Sequence, residues 1–301
     1  MTVPVDPSRR RLRTAGALVV GYLVVTVGLG GLLEGLAGER DATSRLVLGH
    51  VIPVTIAVGG LLLHVWWVGD QAAVWRERST LAMSPRRPWL LAFPVLLALL
   101  PVLGAMSVAW GAIPATTVLV VAVSTGLVGV GEELLIRGVL LVAVRQRHGE
   151  LAALGVTSGV FALGHVPGSL MGGMPAPELA LQVAYLAVVG AACLWTRRVT
   201  GRLWPVVVVH AAVDATVLLG AASGSAPAAL PVLEQTAAVV LAVVQSLLVV
   251  AVAAGCVSAR REDRRAAAAA ASPAEAPSAE ALPAAAPTEH PPEQHGATPG
   301  D

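Results

Sequence analysis

The sequence has no lysine, only two cysteines, two phenylalanines and two tyrosines, and 13% charged residues across 301 positions. A soluble domain is nearer a quarter charged, so the chain lacks the polar surface that water requires. Cys193 and Cys256 both sit within apolar runs. Two isolated thiols so placed exclude a disulfide framework and a metal knuckle, and read as small packing residues. With a net charge of +1 the chain offers no broad basic surface, so no nucleic-acid partner is expected. Hydrophobic residues make up 55%, and the mean hydropathy is +0.74. That excess of apolar surface calls for lipid as its solvent.

Runs long enough to cross a bilayer, about 17–25 residues each, recur through the first 260 positions. They fall near 14–36, 46–68, 89–108, 116–142, 151–166, 179–195, 203–220 and 236–257. The fifth is shortest, because Pro167 and Gly168 end it early. The expected fold is therefore all-α: a polytopic transmembrane helix bundle of about eight spans with a disordered C-terminal tail. Arginine supplies every basic side chain, and seventeen of the twenty arginines lie on one side of this arrangement. Only Arg40 and Arg45 lie on the other, while Arg137 is inside a span. Positive charge stays inside, and an even number of spans returns the chain to its starting side. Both counts predict a multi-pass protein of the cell membrane with both termini cytoplasmic. The arginine cluster before the first span could mimic a signal peptide, but the apolar stretch is longer than the 7–15 residues of such a segment. It reads as a retained helix.

Composition divides the chain into four. Residues 1–88 form an N-terminal pair of spans with a cytoplasmic loop, 89–220 a core, and 221–261 a last span. Residues 262–301 are Ala-, Pro- and Glu-rich, with seven prolines, one leucine and no aromatic residue. Such a segment cannot bury enough apolar area to offset its ordering entropy, so a disordered cytoplasmic tail is expected, apart from Ala266–Ala271, whose alanine run can extend the last span as a transient helix. No repeat of 20–50 residues is visible.

Ionisable side chains inside hydrocarbon cost a few kcal/mol each and mark function by default. The fourth span contains Glu132, Glu133 and Arg137, the fifth Phe161 and His165, the seventh His210 and Asp214. Glu133 and Arg137 are four apart and can pair. Glu132, rotated about 100° from Glu133, can face a different space. His210 and Asp214 are also four apart, which lets the carboxylate hold one imidazole nitrogen. Phe161, one turn before His165, can wall its pocket. Helical rise puts Glu132 and Asp214 roughly 16 Å from the cytoplasmic edge, with His210 about 10 Å and His165 about 22 Å deep. Convergence then requires tilted helices or span boundaries shifted from those above. Each group alone has a plain structural reading: an ion pair tying helices, or a histidine bonded between them. Three such groups in one bundle are harder to explain as packing, because every unmatched polar group in lipid is costly.

These residues resemble three motifs of the CPBP family of intramembrane proteases, which includes type II CAAX prenyl endopeptidases and bacterial Abi or bacteriocin-processing relatives. Glu-Glu-x-x-x-Arg matches Glu132, Glu133 and Arg137. Phe-x-x-x-His matches Phe161 and His165, and His-x-x-x-Asn/Asp matches His210 and Asp214. The resemblance covers roughly residues 90–220. It implies an endopeptidase hydrolysing a peptide bond in a membrane-associated protein or peptide. Glu132 would act with His165 to activate water, and His210 with Asp214 would stabilise the intermediate. One departure stands out: the eukaryotic CAAX proteases carry Asn where this chain has Asp214, and an ionised Asp cannot donate to an oxyanion. Asp214 would have to be protonated to donate or else orient His210, and orientation is the favoured reading.

Glutamate, histidine and aspartate are also competent zinc ligands. The chain lacks His-Glu-x-x-His, and Arg137 would set a cation beside any bound ion. No cofactor is expected, and a divalent metal is the less favoured option. Two other functions compete: a proton-coupled transporter using the same groups as a relay, which predicts broken helices and a pseudo-repeat, and a non-catalytic membrane scaffold. The partners implied are the lipid bilayer and a membrane-associated peptide or protein substrate.

Overall fold

A long apolar segment in lipid must close its own backbone hydrogen bonds, and the α-helix does so within one segment. The computed structural model describes residues 6–38, 40–224 and 231–271, and it is built on that rule. Helix α1 spans Pro7–Ala37 and α2 spans Thr43–Val68. A short α3, Gln71–Trp75, precedes α4 at Pro88–Met106. Helix α5, Ala115–Glu133, passes through a π-helical stretch, Leu134–Leu140, into α6, Leu141–Arg145. Then come α7 (Glu150–Gly164), α8 (Val166–Met171), α9 (Ala176–Thr200), α10 (Trp204–Ala222) and α11 (Pro231–Ala271). Among the described residues there is no strand, only an isolated bridge between Arg76 and Arg202.

Among the described residues, seven helical segments are long and apolar enough to cross a membrane, counting α7 and α8 as one. The eighth helical run, α5 through α6, is the one that carries Glu132, Glu133 and Arg137. The chain is thus a polytopic helix bundle, as its apolar runs predict. Outward faces are apolar, with Trp67 83% exposed and Leu181, Val217 and Val24 similarly bare, the surface expected of helices bathed in lipid.

Helix α5 lies at the centre, packed on α10 and α2, while α9 packs on α7 and α4. The α5–α10 approach is close because Gly129 has no side chain. A Cβ there would stand 2.9 Å from the Val207 carbonyl oxygen and 3.2 Å from the Ala211 Cβ. Small residues let membrane helices approach in this way. Between α4 and α9, Phe93 stacks on Trp195 with ring centroids 5.7 Å apart.

The arginine-bearing ends meet in a network of ion pairs. Arg145 pairs with Glu77 at 2.8 Å and Glu150 at 3.0 Å, and Arg197 reaches Glu77 at 2.9 Å. Arg198 contacts Glu262 at 2.7 Å, and Arg87 pairs with the same carboxylate. Asp6 caps α1 by accepting from the Ser8 amide at 3.0 Å and also pairs with Arg147 at 2.7 Å. The loops counted as arginine-rich therefore share one face of the bundle.

Two expectations need correction. The last helix does not stop at 261 but continues through Ala271. Glu262 and Asp263, assigned to a disordered tail, belong to it: Glu262 serves Arg87 and Arg198, and Asp263 accepts from the Glu150 and Leu151 amides at 2.7 and 3.1 Å, capping α7. An α-helix favours an acidic group at its N-terminus, which composition alone does not reveal. The rest of the expected tail, residues 272–301, lies outside the described residues. The fifth span is likewise two helices that meet at His165. Pro167 has no N–H for the Leu163 carbonyl, so the regular ladder cannot run through.

Candidate active site

Glu133 and Arg137 sit where α5 gives way to the π-helical stretch, and both side chains are fully buried. Single π turns inside helices recur at functional sites. Arg137 Nη1 donates to Glu133 Oε1 at 2.8 Å, and Nη2 donates to the Gly190 carbonyl of α9 at 3.1 Å. Glycine at 190 eases this approach, since a Cβ would lie 3.1 Å from Nη2 and 3.2 Å from Phe161, tighter than ordinary contact. The guanidinium lies over the Phe161 ring, its Cζ 4.3 Å from the centroid. A cation so placed is attracted to the ring face, which adds to what its carboxylate partner supplies.

Glu133 also holds His210. The imidazole Nδ1 lies 2.7 Å from the same Oε1 that accepts from Arg137. A carboxylate only accepts, so Nδ1 carries a hydrogen and the ring orientation follows. The opposite nitrogen, Nε2, is thereby presented to two further acids, 3.4 Å from Asp214 and 3.9 Å from Glu132. Contacts of this kind need a proton between the nitrogen and an acid. The His210 partner that composition suggested, Asp214, is present, but Glu133 makes the tighter contact. The 77-residue separation in sequence hides it.

Glu132 faces away from the Arg137 pair, with its side chain 21% exposed against none for Glu133. Its electrostatic neighbours are His165, His210, Asp214 and Glu133. His165 Nδ1 donates to the Phe161 carbonyl at 2.9 Å, so in a neutral imidazole Nε2 is the acceptor. Phe161 ties the three motifs together. Its ring meets His165 edge-on at 5.0 Å and His210 at 5.6 Å, and it receives Arg137 on its face. All seven residues singled out in the sequence thus lie in one cluster drawn from α5, its π-helical extension, α7, the α7–α8 junction and α10.

Among the described residues, no three His, Cys, Asp or Glu side chains are arranged to hold one metal ion.

One neighbour carried no sequence signal. Tyr22 of α1 is 7% exposed, and among the described residues its hydroxyl has no hydrogen-bond partner. It lies against Gly131, where a Cβ would come within 2.6 Å of Oη. Only its rarity distinguishes it, as one of two tyrosines in the chain.

No curated protein and no solved structure matches the chain. A family model described as type II CAAX prenyl endopeptidase Rce1-like matches residues 114–216. That stretch begins one residue before α5 and ends two residues after Asp214, so it encloses all three motifs and leaves out Tyr22. The protein is a multi-pass membrane protein whose residues 114–216 are similar to the Rce1-like type II CAAX prenyl endopeptidases.

Proposed function

We propose that this protein hydrolyses a peptide bond in a membrane-associated peptide or protein by a glutamate-dependent mechanism centred on Glu132. The supporting observation is the division of labour between adjacent acids: Arg137 neutralises Glu133, while Glu132, with no arginine partner among the described residues, stands 3.9 Å from His210 Nε2. Glu132 accepts a proton from a water molecule whose second hydrogen is directed by the free Nε2 of His165. The water oxygen bonds to the substrate carbonyl carbon, and the carbonyl π pair moves to oxygen. His210 donates its Nε2–H to that oxyanion, held in position by Glu133 at Nδ1 and flanked by Asp214. When the intermediate collapses, the C–N bond breaks and the proton on Glu132 passes to the departing amine. Arg137 and Phe161 act by positioning. No step requires a metal.

The arginine distribution supports a cell-membrane orientation with both ends of the chain on the cytoplasmic side, where the ion-paired face lies.

A quenched fluorescent farnesylated CAAX peptide, presented to purified protein in proteoliposomes, tests the reading. Wild type is expected to turn it over, also in EDTA. Glu132→Gln should bring turnover to background with the melting temperature unchanged. A purified Glu132→Gln variant that cleaves as fast as wild type would refute the assignment.

A further inference from the structure

We infer that Tyr22 supplies a second hydrogen bond to the oxyanion, resting on the hydrolytic reading above. The need for such a donor comes from the third motif. An amide at position 214 could donate beside His210, whereas an ionised Asp214 can only accept. That leaves one donor, His210 Nε2–H, where acyl-transfer sites gain most of their electrostatic stabilisation from preorganised donors. Tyr22 has the chemistry that is missing. A phenol carries an O–H that donates and, unlike a carboxylate, stays protonated at neutral pH in its unperturbed form.

Its placement fits the role. The hydroxyl is delivered by α1, outside residues 114–216, onto the backbone beside Glu132. Gly131 makes the approach possible, since any side chain there would collide with Oη at 2.6 Å and with the Val58 methyl at 2.9 Å. Glu132 and Asp214 are the two acids that Tyr22 feels electrostatically. A buried hydroxyl without a partner costs about 1–3 kcal/mol. Nothing in the packing of α1 requires it, because Phe would fill the same volume. Among the described residues the donor has no partner and lies against the backbone one residue from Glu132, as a group that acquires its partner only when charge develops on a substrate oxygen. The O–H bond does not break in this role: Oη lends a hydrogen bond to the intermediate and keeps its proton throughout.

The test compares wild type, Glu132→Gln, Tyr22→Phe, Asp214→Asn and the Tyr22→Phe/Asp214→Asn pair on the farnesylated peptide in proteoliposomes. Wild-type turnover lost in Glu132→Gln establishes the hydrolytic reading, and failure there sinks that reading separately. Given turnover, Tyr22→Phe should lower kcat about 100-fold, the scale of losing one oxyanion donor, with KM within twofold. Its melting temperature should stay the same or rise, since an unpaired buried hydroxyl is removed. In the Asp214→Asn background, where the amide can donate, the same Tyr22→Phe change should cost tenfold or less. Three results overturn the inference: unchanged kcat in Tyr22→Phe, a rise in KM without a fall in kcat, or an activity loss that tracks a lower melting temperature. An equal loss in the Asp214→Asn background also overturns it, because the two donors would then not be substituting for each other.

Discussion

At the scale of single residues, the site is an exercise in compensating charge away from water. Glu133 and Arg137 are both fully buried, so removing one strands the other. Breaking such a pair typically costs about 3–5 kcal/mol. Arg137→Met is expected to lower stability by that order in detergent thermal melts. The double replacement Glu133→Leu/Arg137→Met should recover most of the loss, because hydrophobic substitution of a whole buried pair is often neutral. It should nonetheless remain inactive, since His210 then loses the acceptor that fixes its Nδ1. A double variant that recovers turnover along with stability would show that Glu133 serves the fold alone. The pairing of Glu133 with Arg137 was legible from their spacing, as was the nearness of His210 to Asp214. The Glu133–His210 contact was not, because only packing of α5 on α10 brings positions 77 apart within 2.7 Å.

At the scale of elements, the helix break at His165 is the feature with most leverage. A continuous helix would carry His165 on along the regular α-helical path. The proline two positions later interrupts the ladder, and the His165 amide instead reaches the Ala162 carbonyl at 3.3 Å. The imidazole then folds back onto Phe161, where its Nδ1 finds the carbonyl of its own preceding turn. Pro167→Ala restores a backbone donor and should straighten this junction. The expected result is equal or greater thermal stability together with at least a tenfold fall in turnover. Unchanged turnover in that variant would mean the break has no part in aiming His165. From the sequence Pro167 read only as an early stop to a short span. That it also sets an imidazole's direction depends on where Phe161 stands, and Phe161 is placed by Arg137 and the two histidines.

At the scale of the whole molecule, the bundle is closed on its arginine-rich face by residues far apart in the chain. Glu262 joins Arg87 and Arg198, and Asp263 caps α7 through the Glu150 and Leu151 amides. A chain ending at Arg261 loses both acids, whereas one ending at Ala271 keeps them. The shorter form should melt several degrees below the longer, since each lost cap or buried charge-assisted bond is worth about 1–3 kcal/mol. Equal melting temperatures would show these contacts to be dispensable. What the sequence by itself determined is the material: apolar runs of membrane length, an arginine bias, and ionisable groups that lipid would not tolerate without a use. Those follow from local composition and helical period, which need no partner to be read. The tertiary structure alone decided which acid holds His210, that a tyrosine from the first helix lies against Gly131, and that acids of the last helix clasp the arginine-rich loops. Each of these is a contact across long sequence separations, and such contacts are chosen by how helices pack against one another, through small residues such as Gly129, Gly131 and Gly190, not by any local preference of the residues themselves.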